Sequence, residues 1–408
     1  MNPYPPPPSW AAEIASVGVT GTNGKSSTTR FVAAGLGVGT PGPVGRVTTV
    51  AAAIGDQAGP PPADHQGFLA LMQRLRERGG RRAAIEATSA ALGLGFSRAW
   101  PFHVGVFTNL GHDHQRTHGS FEHYLASKAQ LFVALADGGA AVLNAQDPAS
   151  SLIAEVLPAS VRALWFAGPS EARDRAVDLR VLRATPSWAG LELELEASAS
   201  LGPIPAALCL RALPAFQAPN AAAALLACVA LGIPGPDAAN AIAECEPPRG
   251  RFEALNPNDD ARPRVVVDYA HTPEALTAAL ASARRLCRGR VVLVVGAGGD
   301  TDASKRRPLG AAASAADLVW LTNDNPRHED PRAIVDELRL GLGEVEDRVE
   351  LDRGAAVARA IAAAVPGDLV LIAGKGHEEV QEIGPARLPS SDHALALAAL
   401  ENWAKARP

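Results

Sequence analysis

Thr20-Gly21-Thr22-Asn23-Gly24-Lys25-Ser26 decides the fold of the first half of this 408-residue chain. An apolar run, Ile14 to Val19, precedes it, and Ser27-Thr28-Thr29-Arg30-Phe31-Val32 reads as the first turns of a helix. Strand, glycine loop and helix together make a phosphate site. Glycines let backbone N–H groups approach the phosphates, and the helix N-terminus adds a positive field. In such a loop the lysine reaches the β- and γ-phosphates and the hydroxyl ligates Mg²⁺. Gly21, Thr22, Asn23, Gly24, Lys25, Ser26 and Ser27 are therefore the candidate nucleotide-binding residues. The general motif places a glycine five residues before Gly24, where Val19 stands, so this is a shorter variant, G-T-N-G-K-S.

Outward from the loop, short apolar strands alternate with helical segments. Strands are predicted at Ala15–Val19, Arg82–Ile85, Val104–Thr108 and Ala140–Leu143. This alternation predicts an α/β fold with a mainly parallel sheet. Between Val161 and Leu210 the pattern changes: Leu191-Glu192-Leu193-Glu194-Leu195 alternates strictly, which predicts a small antiparallel patch. Asn220 to Leu231 is alanine-rich and helical. Glu246-Pro247-Pro248-Arg249-Gly250 breaks helix and marks a boundary. Beyond it, buried strands are predicted at Val265–Val267, Val291–Val295, Leu318–Leu321 and Leu369–Ile372, with helices Pro273–Cys287 and Pro331–Leu342 between them. The expected organisation is a proline-rich arm over residues 1–12, a P-loop-type central ATPase domain over 13–247, and a Rossmann-like α/β domain over 248–408.

Composition narrows the class. Hydrophobic residues make up 47% and charged residues 20%, ordinary for a globular protein. The net charge of −5 offers no basic footprint for nucleic acid or an anionic membrane. No apolar run approaches a membrane span. Met1 to Trp10 carries a proline run without a positive n-region, which reads as an extended arm and not a signal peptide. Cys209, Cys228, Cys245 and Cys287 are scattered, as expected of reduced, mostly buried thiols in the cytoplasm.

Several residues downstream carry chemistry. Glu86 ends a predicted strand, where ligands of open α/β sheets bind. A carboxylate there suits Mg²⁺, although strand-end glutamates also cap helices. Thr108 to Gly119 holds His112, Asp113, His114 and His118. The cluster fits a zinc hydrolase, a plain polar loop, or one histidine assisting Mg²⁺ beside a nucleotide. The phosphate loop upstream favours the third, because a zinc hydrolase has no need of it. Lys128, on the helical stretch His123–Phe132, would by default be a solvated charge.

Taken together, nine ordered runs resemble the Mur ligases, the ATP-dependent amino-acid ligases of peptidoglycan synthesis, and among them the MurE branch. The runs are VTGTNGKSSTT, IEATSAALGLG, VFTNLGHDHQRTHGSFEHYLASKAQLF, PNAAAALLA, RGRFEAL, VVVDYAHTPEAL, GAGGDTDASKRRPLG, NDNPRHEDP and IAGKGHEEVQ, from Val19 to about Gln381. The resemblance implies that Lys25 and Ser26 bind phosphate and Mg²⁺, and that Glu86 and His114 ligate Mg²⁺. Lys128 matches the family's carbamylated lysine. Reaction with CO₂ turns a repelling ammonium into an anionic oxygen ligand. Asn220 would face the adenine, Arg251 the phosphates and Asp268 the ribose, with Tyr269, His271 and Lys305 lining the nucleotide site. Asp324, Asn325, Arg327, Gly374 and Glu378 match the amine pocket of diaminopimelate-adding members. The implied chemistry is amide formation through an acyl phosphate, with ATP and Mg²⁺ and two small-molecule substrates, a carboxylate and an amino acid.

Three departures bear on the substrate. MurE proteins carry a uridine-nucleotide domain before the glycine loop, where this sequence has only the arm. The UDP-sugar would then be held differently or weakly, or by a second copy or a partner protein, or the carboxylate is another. The family's Asn-Thr-Thr-Pro substrate motif is replaced by Gly59-Pro60-Pro61-Pro62-Ala63-Asp64-His65, without threonines. The family's arginine after Gly-Gly-Asp is Thr301, which cannot form that ion pair. Competing readings are a ligase of another pathway, folylpolyglutamate-synthetase-like or peptide-tailoring, and a non-catalytic ATP-binding regulator. The DNPR and GKGHE runs weigh against the first. Retention of Lys25, Glu86, His114 and Lys128 weighs against the second.

Overall fold

A computed structural model of the chain describes residues 4–111, 120–170 and 176–406. The chain forms two compact units. All but two short segments up to Glu246 fall in the first, and Pro247 onward falls in the second.

The first unit is built on strands β1 (Ala15–Thr20), β2 (Val44–Val47), β3 (Ala52–Ile54), β4 (Gln57–Gly59), β5 (Arg82–Glu86), β6 (Phe102–Phe107), β7 (Leu135–Asn144), β8 (Arg162–Ala167), β9 (Leu179–Ser187), β10 (Gly190–Ala197) and β11 (Ala207–Leu210). They form one sheet in the order β11-β10-β9-β8-β7-β6-β1-β5-β2-β3-β4. β1 lies at its centre, parallel to β5 and β6, so the loop after it opens at the carboxyl edge. Residues of β1 from Ser16 to Thr20 are all buried, because helices cover both faces of a parallel sheet. The antiparallel patch predicted from alternation is present. β10 pairs antiparallel with β11, and Leu191, Leu193 and Leu195 are buried while Glu192 and Glu194 are exposed. β8 still runs parallel to β7. On the opposite edge β2, β3 and β4 add an antiparallel meander that periodicity does not announce, since its strands span only three or four residues.

Trp100, Phe102, Phe107 and Phe132 fill the core of this unit. The helix Lys25–Leu36 packs closely on the helix Gln217–Ala230; a Cβ at Gly35 would lie 2.5 Å from Cys228 Sγ.

Two expectations need correction. The N-terminal arm is not extended throughout: Ser9–Glu13 form a 3₁₀ turn. Trp10 packs edge-on against Trp100, and Ala11 is buried, so apolar docking overrides the polyproline tendency. The cysteines are not mostly buried either. Cys228 is, and burial pushes its thiol up to about 12. Cys245 and Cys287 are half-buried, and Cys209 is exposed because alternation on β11 turns it outward.

The second unit has β12 (Glu253–Ala254), β13 (Arg264–Asp268), β14 (Val291–Val295), β15 (Leu318–Leu321), β16 (Glu346–Val349) and β17 (Leu369–Ala373), in the order β12-β13-β17-β14-β15-β16. All pairs are parallel except β12 with β13. β13, β14 and β17 are buried along their whole length, as their unbroken valine and leucine runs require. On one face Val357, Ile361, Leu400 and Trp403 pack against Val265, Val267, Val292 and Ile372. A hairpin of β18 (Val380–Ile383) and β19 (Ala386–Pro389) follows β17.

Candidate active site

In the first unit the glycine loop is tied to the turn after β6. Thr22 N donates to Asn109 O at 2.8 Å, Asn23 N to Asn109 Oδ1 at 2.9 Å, and Thr108 Oγ1 to Asn23 O at 2.7 Å. Gly111 N donates to Thr22 Oγ1 at 2.9 Å. Gly21 takes φ 148°, and a Cβ there would lie 1.9 Å from Thr108 Oγ1. Gly24 is the helix N-cap at φ 83° and offers no side-chain cap, and the N-terminus of such a helix favours an anion. Lys25 Nζ donates to Thr22 O at 2.7 Å, within the loop that it would serve. Ser27 is buried and receives a hydrogen bond from Gln217 Nε2 at 3.2 Å. This cradle fits a nucleotide's phosphates: a helix N-terminus without a side-chain cap, a lysine, and glycines where a side chain would collide.

Asn220 borders the same loop. A Cβ on Gly24 would lie 2.3 Å from its Oδ1, and its Nδ2 donates to Gln217 Oε1 at 2.9 Å. The fold thus brings Asn220 to the phosphate loop.

Glu86 ends β5 and is buried. Ser26 Oγ donates to Glu86 Oε2 at 2.7 Å, and Thr49 approaches both carboxylate oxygens, through N at 3.3 Å and Oγ1 at 3.4 Å. Helix capping falls instead to Thr88, whose side chain accepts from Ala91 N. A buried hydroxyl and carboxylate in contact form an all-oxygen donor pair that fits a hard cation such as Mg²⁺. Lys128 is buried in the helix Phe121–Val133; its Nζ donates to Gly21 O at 2.7 Å and lies 4.2 Å from the Tyr124 ring centre. The default of a solvated lysine is therefore wrong here. His114, with the rest of 112–119, lies outside the described residues.

In the second unit two clusters sit at the carboxyl ends of the strands. The first gathers Arg251, Asp268, Tyr269 and His271. Asp268 accepts from Phe252 N at 2.6 Å and Ala270 N at 2.9 Å. Burial pushes its carboxyl up to about 6, against the pull of Arg251 and those amides. Arg251 lies 4.5 Å over the Tyr269 ring, and His271 Nδ1 is 2.9 Å from Tyr269 O. His377 packs on the same ring at 5.0 Å; burial and then Arg251 lower its affinity for a proton. Lys305 closes the 3₁₀ turn Ala303–Lys305 beyond β14.

The second cluster joins the loops after β15 and β17. Asn325 Nδ2 donates to Glu378 Oε2 at 2.9 Å. Lys375 Nζ, fully buried, donates to Asn325 Oδ1 at 2.9 Å, Glu378 Oε2 at 2.8 Å and Val380 O at 2.7 Å. Burial raises Glu378, but the Lys375 hydrogen bond and charge outweigh it and hold the carboxyl below its ordinary value. Gly374 takes φ 114°, with Asp324 Oδ2 2.5 Å from where its Cβ would be. Asp324 is buried, which raises its carboxyl. Arg327 Nε donates to Glu382 Oε2 at 2.8 Å and its Nη1 to Gly299 O at 2.7 Å. Thr301 Oγ1 turns back to Gly298 O at 2.9 Å, and a Cβ on Gly298 would meet both Thr301 and the Arg327 guanidinium. Sequence reading missed Thr49, Lys375 and Glu382. Lys375 lies inside a recognised motif, but only its three acceptors reveal that it organises the loop.

Asp64, in the stretch that departs from the substrate motif, caps the helix His65–Glu77 by accepting from Gly67 N at 2.8 Å. No helix among the described residues is long and apolar enough to cross a membrane.

Known proteins resemble this chain over nearly its whole length. Residues 19–228 match the Mur ligase middle domain, and residues 250–376 match the Mur ligase, glutamate ligase domain. The UDP-N-acetylmuramoyl-L-alanyl-D-glutamate–2,6-diaminopimelate ligase of Alkalilimnicola ehrlichii is 39% identical over 398 residues, which is 96% of this chain and 77% of that protein. The ligase of the same name from Streptomyces coelicolor is 35% identical over 95% of this chain and 76% of its own length. A solved structure of a ligase with that name superposes with a TM-score of 0.68 at 29% identity, covering 97% of this chain and 79% of the other. The chain belongs to the Mur ligase family of ATP-dependent, amide-bond-forming ligases.

Proposed function

We propose that this ligase joins the amine of a diaminopimelate-like amino acid to the carboxylate of a UDP-N-acetylmuramoyl-L-alanyl-D-glutamate-type substrate. The observation that carries the proposal is the second cluster of the C-terminal unit, where Asp324, Asn325, Arg327, Gly374 and Glu378 converge from two loops. Relatives at 35–39% identity bear the name of that reaction. On this reading the central domain spans 13–247 and the C-terminal domain 248–408, and the reaction is cytoplasmic.

The roles follow from the chemistry of the groups. A substrate carboxylate oxygen attacks the γ-phosphorus of ATP, the bond to the β-bridging oxygen breaks, and ADP leaves. The helix N-terminus after Gly24 and the Lys25 ammonium reduce the repulsion between the anions. Ser26 Oγ, Glu86, His114 and a carbamylated Lys128 would hold Mg²⁺, which supplies further charge neutralisation at the phosphates. Arg251 supplies positive charge in the nucleotide cluster. In the second unit Asp268 would hold the ribose, with Tyr269, His271 and Lys305 lining the nucleotide; in the first, Asn220 would face the adenine. The amine then attacks the acyl phosphate carbon, a proton is lost, and phosphate departs as the amide forms. Glu378, held ionised by Lys375, attracts an ammonium, and Arg327 attracts a carboxylate.

A second reading keeps the chemistry and changes the carboxylate substrate. What favours it is Asp64, spent on a helix cap where the family has substrate-binding threonines, together with Thr301.

The deciding experiment is ATP-dependent phosphate release with UDP-N-acetylmuramoyl-L-alanyl-D-glutamate, with and without meso-diaminopimelate. Release that needs both supports the first reading. No release from protein that binds ATP rejects it, and release with a smaller acid from a panel of peptides and amino acids establishes the second.

A further inference from the structure

Arg353 and Asp392 form an ion pair that nothing in the reaction described so far uses. Their side chains are 1% and 0% exposed. The pairing is bidentate: Arg353 Nε donates to Asp392 Oδ1 at 2.6 Å and Nη2 to Oδ2 at 2.7 Å. Arg353 opens the helix Arg353–Ala363, and Asp392 opens the C-terminal helix Asp392–Ala406. The remaining donors go to two backbone carbonyls, Nη2 to Ala373 O at 2.9 Å and Nη1 to Asn323 O at 3.1 Å.

Those carbonyls belong to the residues immediately before Gly374 and Asp324. One guanidinium therefore grips the roots of both loops of the amine cluster. The strands that carry them are not neighbours, because β14 runs between β17 and β15. At the ladder spacing the two strands lie about 9–10 Å apart, so the loops must curl toward each other past the end of β14 to reach one guanidinium. Gly296, just beyond β14, makes room. A Cβ there would lie 2.4 Å from Thr322 O and 2.7 Å from Asp324 N. Above this root, Lys375 joins the loops a second time through Asn325 and Glu378. Arg353 also bears on the buried carboxyl of Asp324, opposing the effect of burial.

We propose that Arg353, fixed by Asp392, is a positioning residue for amine binding: it sets the separation of the Asp324–Arg327 and Gly374–Glu378 loops and links it to the C-terminal helix. The inference rests on the reading of those loops as the amine site. A planar guanidinium is suited to the task because its fork serves a carboxylate and two carbonyls at once, which a lysine ammonium cannot match in geometry.

The test uses the full-length chain with Arg353→Lys and with the double variant Arg353→Met/Asp392→Leu. Replacing a whole buried pair by apolar groups keeps such sites folded where removal of one partner does not. Two quantities are read. Hydrogen exchange needs no substrate; amides of residues 322–327 and 373–378 should exchange at least about tenfold faster in both variants, with the helix Pro273–Leu286 unchanged. The KM for meso-diaminopimelate should rise about tenfold while the KM for ATP stays within about twofold. Unchanged exchange in both loops of the double variant overturns the inference, as does a wild-type amine KM in Arg353→Lys. Arg327→Ala separates the two levels. If it raises the amine KM and the Arg353 variants do not, positioning fails and the amine site stands. If it too leaves the amine KM unmoved, the amine-site reading fails and takes the functional half of the inference with it.

Discussion

Gly24→Ala would test whether the phosphate cradle is built as described. The residue sits at φ 83°, ψ −8°, where a side chain costs about 1–2 kcal/mol. The added Cβ would lie 2.3 Å from Asn220 Oδ1 and 3.1 Å from its Cγ. Asn220 must swing away, loosening its hydrogen bonds to Gln217 Oε1 and Phe216 O. One buried amide bond is worth about 1 kcal/mol, so the total loss should be about 2–3 kcal/mol. For a unit of this size that lowers Tm by about 4–12 °C. Displaced loop amides should also weaken phosphate binding, raising the KM for ATP about tenfold to a hundredfold. The assay is calorimetric unfolding and steady-state kinetics of Gly24→Ala in the wild-type and Asn220→Ala backgrounds. Truncating Asn220 removes the clash and leaves the backbone term, so the second substitution should cost about 1 kcal/mol less there. Equal cost in both backgrounds, or an unchanged Tm and ATP KM, would refute the cradle geometry.

Lys128→Ala should abolish turnover while the variant still folds and binds ATP, and high bicarbonate should restore part of the activity by placing a small carboxylate in the vacated space. Full activity without rescue would end the carbamate role, and the intact mass of the native protein checks the modification directly. Asp268 gives the C-terminal unit a pH dependence. Its folded value of about 6 exceeds the ordinary carboxylate value, so its protonated form is favoured by folding. That stability is full below about pH 4 and is lost as pH rises through about 6, amounting to about 3 kcal/mol. Unfolding measured from pH 4 to 7 should show this loss in the wild type and not in Asp268→Asn; parallel curves would contradict it. Lys375→Met should remove the hydrogen bond and charge that hold Glu378 ionised, leaving a more basic carboxyl and shifting the acid limb of the amine-dependent rate upward; an unmoved limb would remove Lys375 from that role.

Much of the molecule is legible in the linear chain because it depends on neighbours in sequence. The strand–loop–helix around Gly21 to Ser26 is local, since glycine conformational freedom and helix amides act over a few residues. The continuous valine runs of β13, β14 and β17 announce strands buried on both faces, and the alternation of Leu191 to Leu195 announces one buried on a single face. The order of motifs was enough to suggest the family. What the chain alone does not determine is convergence across long separations. Ser26 meets Glu86 sixty positions later, and Lys128 reaches back to Gly21 across 107, because β1 is inserted between β5 and β6. Lys375 and Arg353 look like ordinary surface charges by type. They became organising residues only when burial removed water and left nearby carboxylates and carbonyls as their partners, since a charge can stay buried only where such groups replace its solvation.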